Sequence, residues 1–271
     1  MRCLTSLVLG IALASPAASQ MRSLGVPNDK GWQHARTGII LMSKLGEFQR
    51  NELRDNGTSE LDVAATYYAG SDADTATIYL FRPGITSLPM WFDRSHYAMM
   101  VNPQIQVAAP LGPIARVALP GSSVGSGLRM TYALRGDKGA TGLAMVPYGD
   151  WLLAVRVTSR TKPAADVDSA LLTLIAKIRW PEKRPVERVA DPVAACLTSI
   201  KTRKAKLIQP DLAQALIGAT LSNLAEEHGK KEAQGAGKPP VFCRDRDPSR
   251  EFGMYRSDQS NDGYILAIGD S

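Results

Sequence analysis

Residues 141–158 read TGLAMVPYGDWLLAVRVT. Two apolar runs, Thr141 to Val146 and Trp151 to Thr158, flank Tyr148-Gly149-Asp150, which is turn material. Runs this short, rich in branched and aromatic side chains and bounded by Gly and Asp, read as strands. The stretch therefore predicts a hairpin of buried strands. Outward from it the pattern repeats. Thr75 to Arg82 is β-branched and aromatic and stops at Pro83-Gly84, while Leu61, Val63, Ala65 and Tyr67 alternate with polar or small residues. Thr37 to Met42, Ile114 to Leu119 and Leu128 to Leu134 read as further strands.

The period changes twice. Leu88, Trp91, Phe92, Tyr97, Met99 and Met100 fit a helix over 88–101 with Pro89 in its first turn. Val167, Leu171, Leu174, Ile175 and Ile178 recur on one face of a helix over 163–179, which Trp180-Pro181 closes. The expected fold class for 20–181 is α+β, an antiparallel sheet flanked by helices. Residues 182–189, containing Glu182-Lys183-Arg184-Pro185, read as a linker. A small disulfide-linked α+β C-terminal domain is expected over 190–271. Its first helix is capped by Asp191-Pro192 and its second opens at Pro210-Asp211; the strands Val241 to Arg244, Phe252 to Arg256 and Tyr264 to Ile268 follow as a meander.

Composition narrows the class. The 271 residues are 44% hydrophobic and 21% charged, which excludes a disordered, collagen-like or disulfide-dense chain. No apolar run reaches the ~20 residues of a membrane helix, so no transmembrane segment is read. Residues 1–19 read as a signal peptide: Arg2, an apolar stretch from Leu4 to Ala14, a break at Pro16, and small residues Ala17 and Ser19 before cleavage at Gln20. Cys3 leaves with that segment. Cys196 and Cys243 then remain as an even pair in an exported chain, which reads as one disulfide. The three histidines, His34, His96 and His228, lie at no metal-ligand spacing from a cysteine or from each other, so no metal site and no cofactor is read. The net charge is +6, and the one basic run without an acid is Lys201, Arg203, Lys204 and Lys206. That run suits a weak contact with an anionic membrane surface, or is simply a solvated loop. No aromatic residues interleave with it, which argues against nucleic acid.

The order of elements over 36–181 carries a resemblance. Several strands, a helix containing Trp91-Phe92-Asp93-Arg94, four more strands and a helix ending Ile178-Arg179-Trp180-Pro181 resemble the PsbP/DcrB-like α/β/α sandwich family. Gly142 to Val146 with Trp151 to Val155 looks like that fold's central hairpin. The resemblance implies an exported accessory or binding protein and no catalytic residues.

Two constellations could carry chemistry. Gly121-Ser122-Ser123-Val124-Gly125 matches G-x-S-x-G, in which Ser123 would be a nucleophile on a strand-to-helix turn and His228 the one histidine later in the chain. Asp93 and His96 stand at i and i+3, where a carboxylate can orient an imidazole. Two functional expectations follow. The first is an exported, non-catalytic accessory or binding protein of the cell envelope, with an envelope protein or small ligand as partner. The second is a secreted serine hydrolase using Ser123.

Overall fold

The computed structural model describes residues 21–57, 59–70, 74–136, 139–183, 185–201, 239–249, 251–259 and 263–268. The hairpin that opens the sequence reading is its centre. Strands β11 (Ala140–Tyr148) and β12 (Trp151–Ser159) pair antiparallel from Ala140↔Ser159 to Tyr148↔Trp151. Before them come β1 (Arg22–Ser23), β2 (Trp32–Gln33), β3 (Ile40–Leu41), β4 (Lys44–Leu45), β5 (Phe48–Asp55), β6 (Asp62–Ala69), β7 (Asp74–Phe81), helix α1 (Leu88–Val101), β8 (Val107–Pro110), β9 (Ala115–Val117) and β10 (Gly127–Leu134). After them come helix α2 (Ala164–Lys177), β13 (Ala194–Ala195), β14 (Phe242–Arg246), β15 (Phe252–Ser257) and β16 (Ile265–Ile268).

The chain forms two compact units. One holds the residues up to Leu88 together with Met99–Asp191; the other holds Pro89–Ala98 and the chain from Pro192 onward. The first unit is a ten-stranded antiparallel sheet in the order β1-β5-β6-β7-β12-β11-β10-β8, with β4 beside β5 and β9 beside β10. Pairing through β6, β7, β12 and β11 aligns Val63, Ala65 and Tyr67 with Leu80, Ile78 and Ala76, then with Leu153, Val155 and Val157, then with Val146 and Ala144. These side chains share one core with Val167, Leu171, Leu174 and Ile175 of α2. Gly142 permits that approach: a Cβ there would stand 2.7 Å from Leu171 Cδ1 and 3.0 Å from Val167 Cγ1.

The structure corrects the expected fold class. The protein is mostly β, with 42% strand, 14% helix and two helices among the described residues. It is not a helix-flanked α+β sandwich. Both helices form, but only α2 lies on the large sheet within its unit; the central ten residues of α1 group with the C-terminal sheet instead. The helix expected after Asp191-Pro192 does not form either. Ala194 and Ala195 run parallel to Cys243 and Arg244 of β14, and Cys196 N–H donates to the Arg244 carbonyl at 2.8 Å. Backbone groups bonded to a neighbouring strand are no longer available to an i−4 ladder. The helix expected from Pro210 lies outside the described residues.

Candidate binding surface

The second unit carries Asp93 and His96, and it is built around a disulfide. Its sheet runs β13-β14-β15-β16. Cys196 and Cys243 are bonded, with their Cα atoms 4.9 Å apart, so the expected pairing is present. Register alternation separates two faces. Phe242, Tyr255 and Ala267 face inward and form a small core with Met90 of α1. The polar half of the inner face is a network on the same helix. Arg244 Nη1 donates to Asp93 Oδ1 at 2.6 Å, and the Tyr255 hydroxyl donates to Asp93 Oδ2 at 3.0 Å. The Arg244 guanidinium also lies over the Tyr97 ring, 4.6 Å from its centroid, a cation–π contact. Arg94, fully buried, donates to the Ser249 carbonyl at 3.3 Å.

These contacts set the electrostatics. Burial pushes the Asp93 carboxyl up, against Arg244 and the Tyr255 hydrogen bond, which pull it down. Burial raises the Tyr255 phenol far above its ordinary range. His96 is pulled down to about 4 by burial and then by the charge of Arg244. The Asp93 carboxylate is thus committed to Arg244 and Tyr255, and the charge that His96 feels most is a cation. Both residues of the i and i+3 pair belong to the joint between α1 and the sheet. Deeper in β14, the Asp245 carboxylate is fully buried, 3.1 Å from Arg256 Nε, and accepts from Ile200 N–H at 2.9 Å.

The lowered His96 value has a definite consequence for stability. Between about 4 and its ordinary 6.5 the unfolded chain binds a proton there that the folded chain does not, so stability is full above 6.5 and falls as pH drops through this window. The loss should amount to about 3 kcal/mol at the bottom of the window. The raised Asp93 carboxyl acts in the opposite sense, adding stability as pH falls toward its ordinary value. His96→Gln should therefore flatten the stability profile between pH 6.5 and 4 relative to the parent, as read by urea unfolding at each pH. An unchanged profile in the variant would refute the assignment.

The outer face is different. Phe252↔Ile268 and Met254↔Leu266 are register pairs, so these residues share a side. Phe252, Leu266 and Ile268 are 37%, 44% and 70% exposed, Tyr264, two residues before Leu266, is 52% exposed, and Met254 on the same side is buried. An apolar strip of this kind on a small sheet marks an interaction site more often than an isolated exposed leucine does. The local pattern predicts strands over Phe252 to Arg256 and Tyr264 to Ile268, while their shared face follows from the pairing register. The signal lay in the alternation of Tyr264, Leu266 and Ile268, since Ala267 alone between the last two is buried.

Ser123 is exposed in the loop between β9 and β10, and a strand rather than a helix follows it. The oxyanion donors of a nucleophile elbow come from a helix start, which this loop lacks. The glycines of the motif have local duties instead. Gly121 has φ 78°, and a Cβ on Gly125 would approach Arg116 Cβ to 3.0 Å. The Gly125 carbonyl accepts from Ala190 N–H at 2.9 Å. His34, the histidine in the same unit, is spoken for. Its Nε2–H donates to the Glu60 carbonyl at 3.1 Å and its Nδ1 accepts from Thr37 N–H at 3.2 Å. His228, Arg203, Lys204 and Lys206 lie outside the described residues, and Lys201 is exposed at their boundary. Among the described residues no group of three His, Cys, Asp or Glu side chains is placed to hold a metal ion, and no helix is long and apolar enough to cross a membrane. No family model, no curated protein and no solved structure matches the chain.

Proposed function

We propose that the chain is an exported, non-catalytic accessory or binding protein of the cell envelope, and that it engages an envelope protein through the outer face of its C-terminal sheet. The observation that carries this reading is the exposed strip of Phe252, Tyr264, Leu266 and Ile268 on a sheet closed by the Cys196–Cys243 disulfide. A disulfide persists in an oxidising compartment and is rare in a reducing one. It therefore supports the reading of residues 1–19 as an export signal. The resemblance of 36–181 to exported accessory proteins points the same way in function, although the helix-flanked fold it implied is set aside. The small surface of apolar side chains suits recognition of a polypeptide better than enclosure of a small molecule, which binds in concave sites.

The export half of the reading has its own test. N-terminal sequencing of the protein recovered from the envelope fraction should start at Gln20. A cytoplasmic product that retains Met1 would contradict it.

A further inference from the structure

The face of the large sheet opposite α2 holds an arginine whose charge the neighbouring strands do not answer. Leu153, Val155 and Val157 of β12 share the core with α2, so Ala154, Arg156 and Thr158 point to the other side. Arg156 is half-buried on this central strand. Its register partners are Thr77 on β7 and Leu143 on β11, and neither can neutralise it. Beyond Thr77 the row continues to Thr66 on β6 and Glu52 on β5. Glu52 is three strand spacings from Arg156, about 14 Å, and it pairs with Arg54 instead. The rows through Ala154 and Thr158 add Tyr79 and Thr75 from β7 and Met145 and Thr141 from β11, and no carboxylate. Among the described residues the guanidinium has no hydrogen-bond or ion-pair partner. Hydroxyls beside it are in the same condition. Thr66, Tyr68, Thr77 and Tyr79 lie on this face, and their side chains have no hydrogen-bond partner among the described residues.

We infer that this face binds an acidic polysaccharide, with a carboxylate of the polymer held by Arg156 and sugar hydroxyls bonded to Thr66, Thr77 and Tyr79. The unanswered cation sets the sign of the ligand, and a guanidinium takes a carboxylate through two parallel hydrogen bonds. The hydroxyls around it each donate and accept. They match a hydroxyl-rich ligand, whereas an acyl chain laid over them would leave them unbonded. Arg156, Thr66, Tyr68 and Tyr79 are all half-buried on a sheet face rather than enclosed in a cavity. Such a surface suits an extended polymer better than a small molecule, which binds where it is surrounded. Thr66 is two strand spacings from Arg156, about 10 Å, so groups on more than one sugar residue are in reach. β6, β7 and β12 are inner strands, paired on both sides, which holds these side chains in fixed register. The large sheet carries this inference and the C-terminal sheet carries the proposed function, so each can fail without the other.

Isothermal titration of the mature chain with a defined oligogalacturonate tests this, with the methyl ester of the same oligomer as the uncharged control. The acid should bind, and the ester should bind at least about tenfold more weakly, the size of one lost charge-assisted contact. Arg156→Gln should lose a similar factor for the acid while keeping the urea midpoint of the parent, because no contact within the protein is removed. Arg156→Lys should recover only part of the affinity, since an ammonium lacks the planar fork. Thr77→Val should weaken acid and ester alike by about fivefold, one neutral hydrogen bond. An acid that does not bind the parent, equal binding of acid and ester, or undiminished binding by Arg156→Gln would overturn the inference. So would a urea midpoint that drops in Arg156→Gln, which would make the arginine a structural group. Inorganic phosphate that competes at the same molar concentration as the oligomer would overturn it too, by marking a plain anion site.

Discussion

Arg50→Met should lower the stability of the first unit by about 3–5 kcal/mol, the size expected when a buried charged donor is removed and its acceptors are left behind. Arg50 lies on β5 and is 1% exposed. Its guanidinium has no carboxylate partner among the described residues and is held by carbonyls. Nη2 donates to Pro27 O at 2.8 Å and to Lys30 O at 2.7 Å, and Nη1 reaches Leu41 O at 3.4 Å. The Arg50 N–H donates to Ser43 O at 2.7 Å. One side chain thus ties the turn at 27–30 and strand β3 to the sheet. Methionine keeps much of the volume and none of the donors, so Lys30 O and the buried Leu41 O lose the guanidinium and Pro27 O is left with the Lys30 N–H alone, at 3.0 Å. Lysine at the same position should recover only part of the loss, because an ammonium cannot span three carbonyls as a planar fork does. Urea unfolding checks both variants. A change within ~0.5 kcal/mol for Arg50→Met, the scale of an ordinary surface substitution, would show that the arginine is not the tie the geometry implies.

Loss of the disulfide should be nearly as large, and confined to the second unit. Cys196 and Cys243 are 47 residues apart. Closing a loop of that length removes about 4 kcal/mol of unfolded-state entropy on the chain-entropy model. The bond also holds β13 against β14, where only Ala194 and Ala195 pair. A two-residue strand has little of its own to keep it in place. Cys196→Ser with Cys243→Ser should therefore unfold the C-terminal sheet at lower denaturant, and reductant should move the parent protein to the same midpoint. Amide exchange should rise first in β13 and β14. If reductant left the midpoint of the parent unchanged, the bond would contribute nothing to stability in solution.

The parts of the fold that were legible in the sequence are those fixed by local pattern. The hairpin of β11 and β12 showed as two unbroken apolar runs because both strands are buried along almost their whole length. Helix α2 showed through Val167, Leu171, Leu174 and Ile175, which are its buried residues. The disulfide followed from the count of cysteines left after the N-terminal segment. What was not legible depends on distance along the chain. Asp93 meets Arg244 across 151 residues, and no local period encodes that meeting. For the same reason α1 read as a helix for the large sheet and instead groups with the small one, which removes the second helical layer from the expected sandwich. Asp191-Pro192 is a sound helix-start signal in isolation. It is overridden where Cys196 bonds to Cys243 and donates its N–H to Arg244. At Ser123 two signals in the sequence conflict: G-x-S-x-G is complete, but the run from Leu128 to Leu134 reads as a strand, and β10 forms there.

The central claim, that the outer face of the C-terminal sheet binds an envelope protein, is tested most directly by photo-cross-linking in intact cells. A photoreactive residue is placed at Ile268, 70% exposed on the apolar strip, and as a control at Leu172, 38% exposed on α2. From Ile268 the account predicts a discrete adduct in the envelope fraction whose mass exceeds that of the chain by something other than a second copy, and predicts its loss in a Leu266→Asp background. From Leu172 it predicts none. Exported, folded protein that gives no such adduct from Ile268, or gives the same adduct from Leu172, would contradict the account.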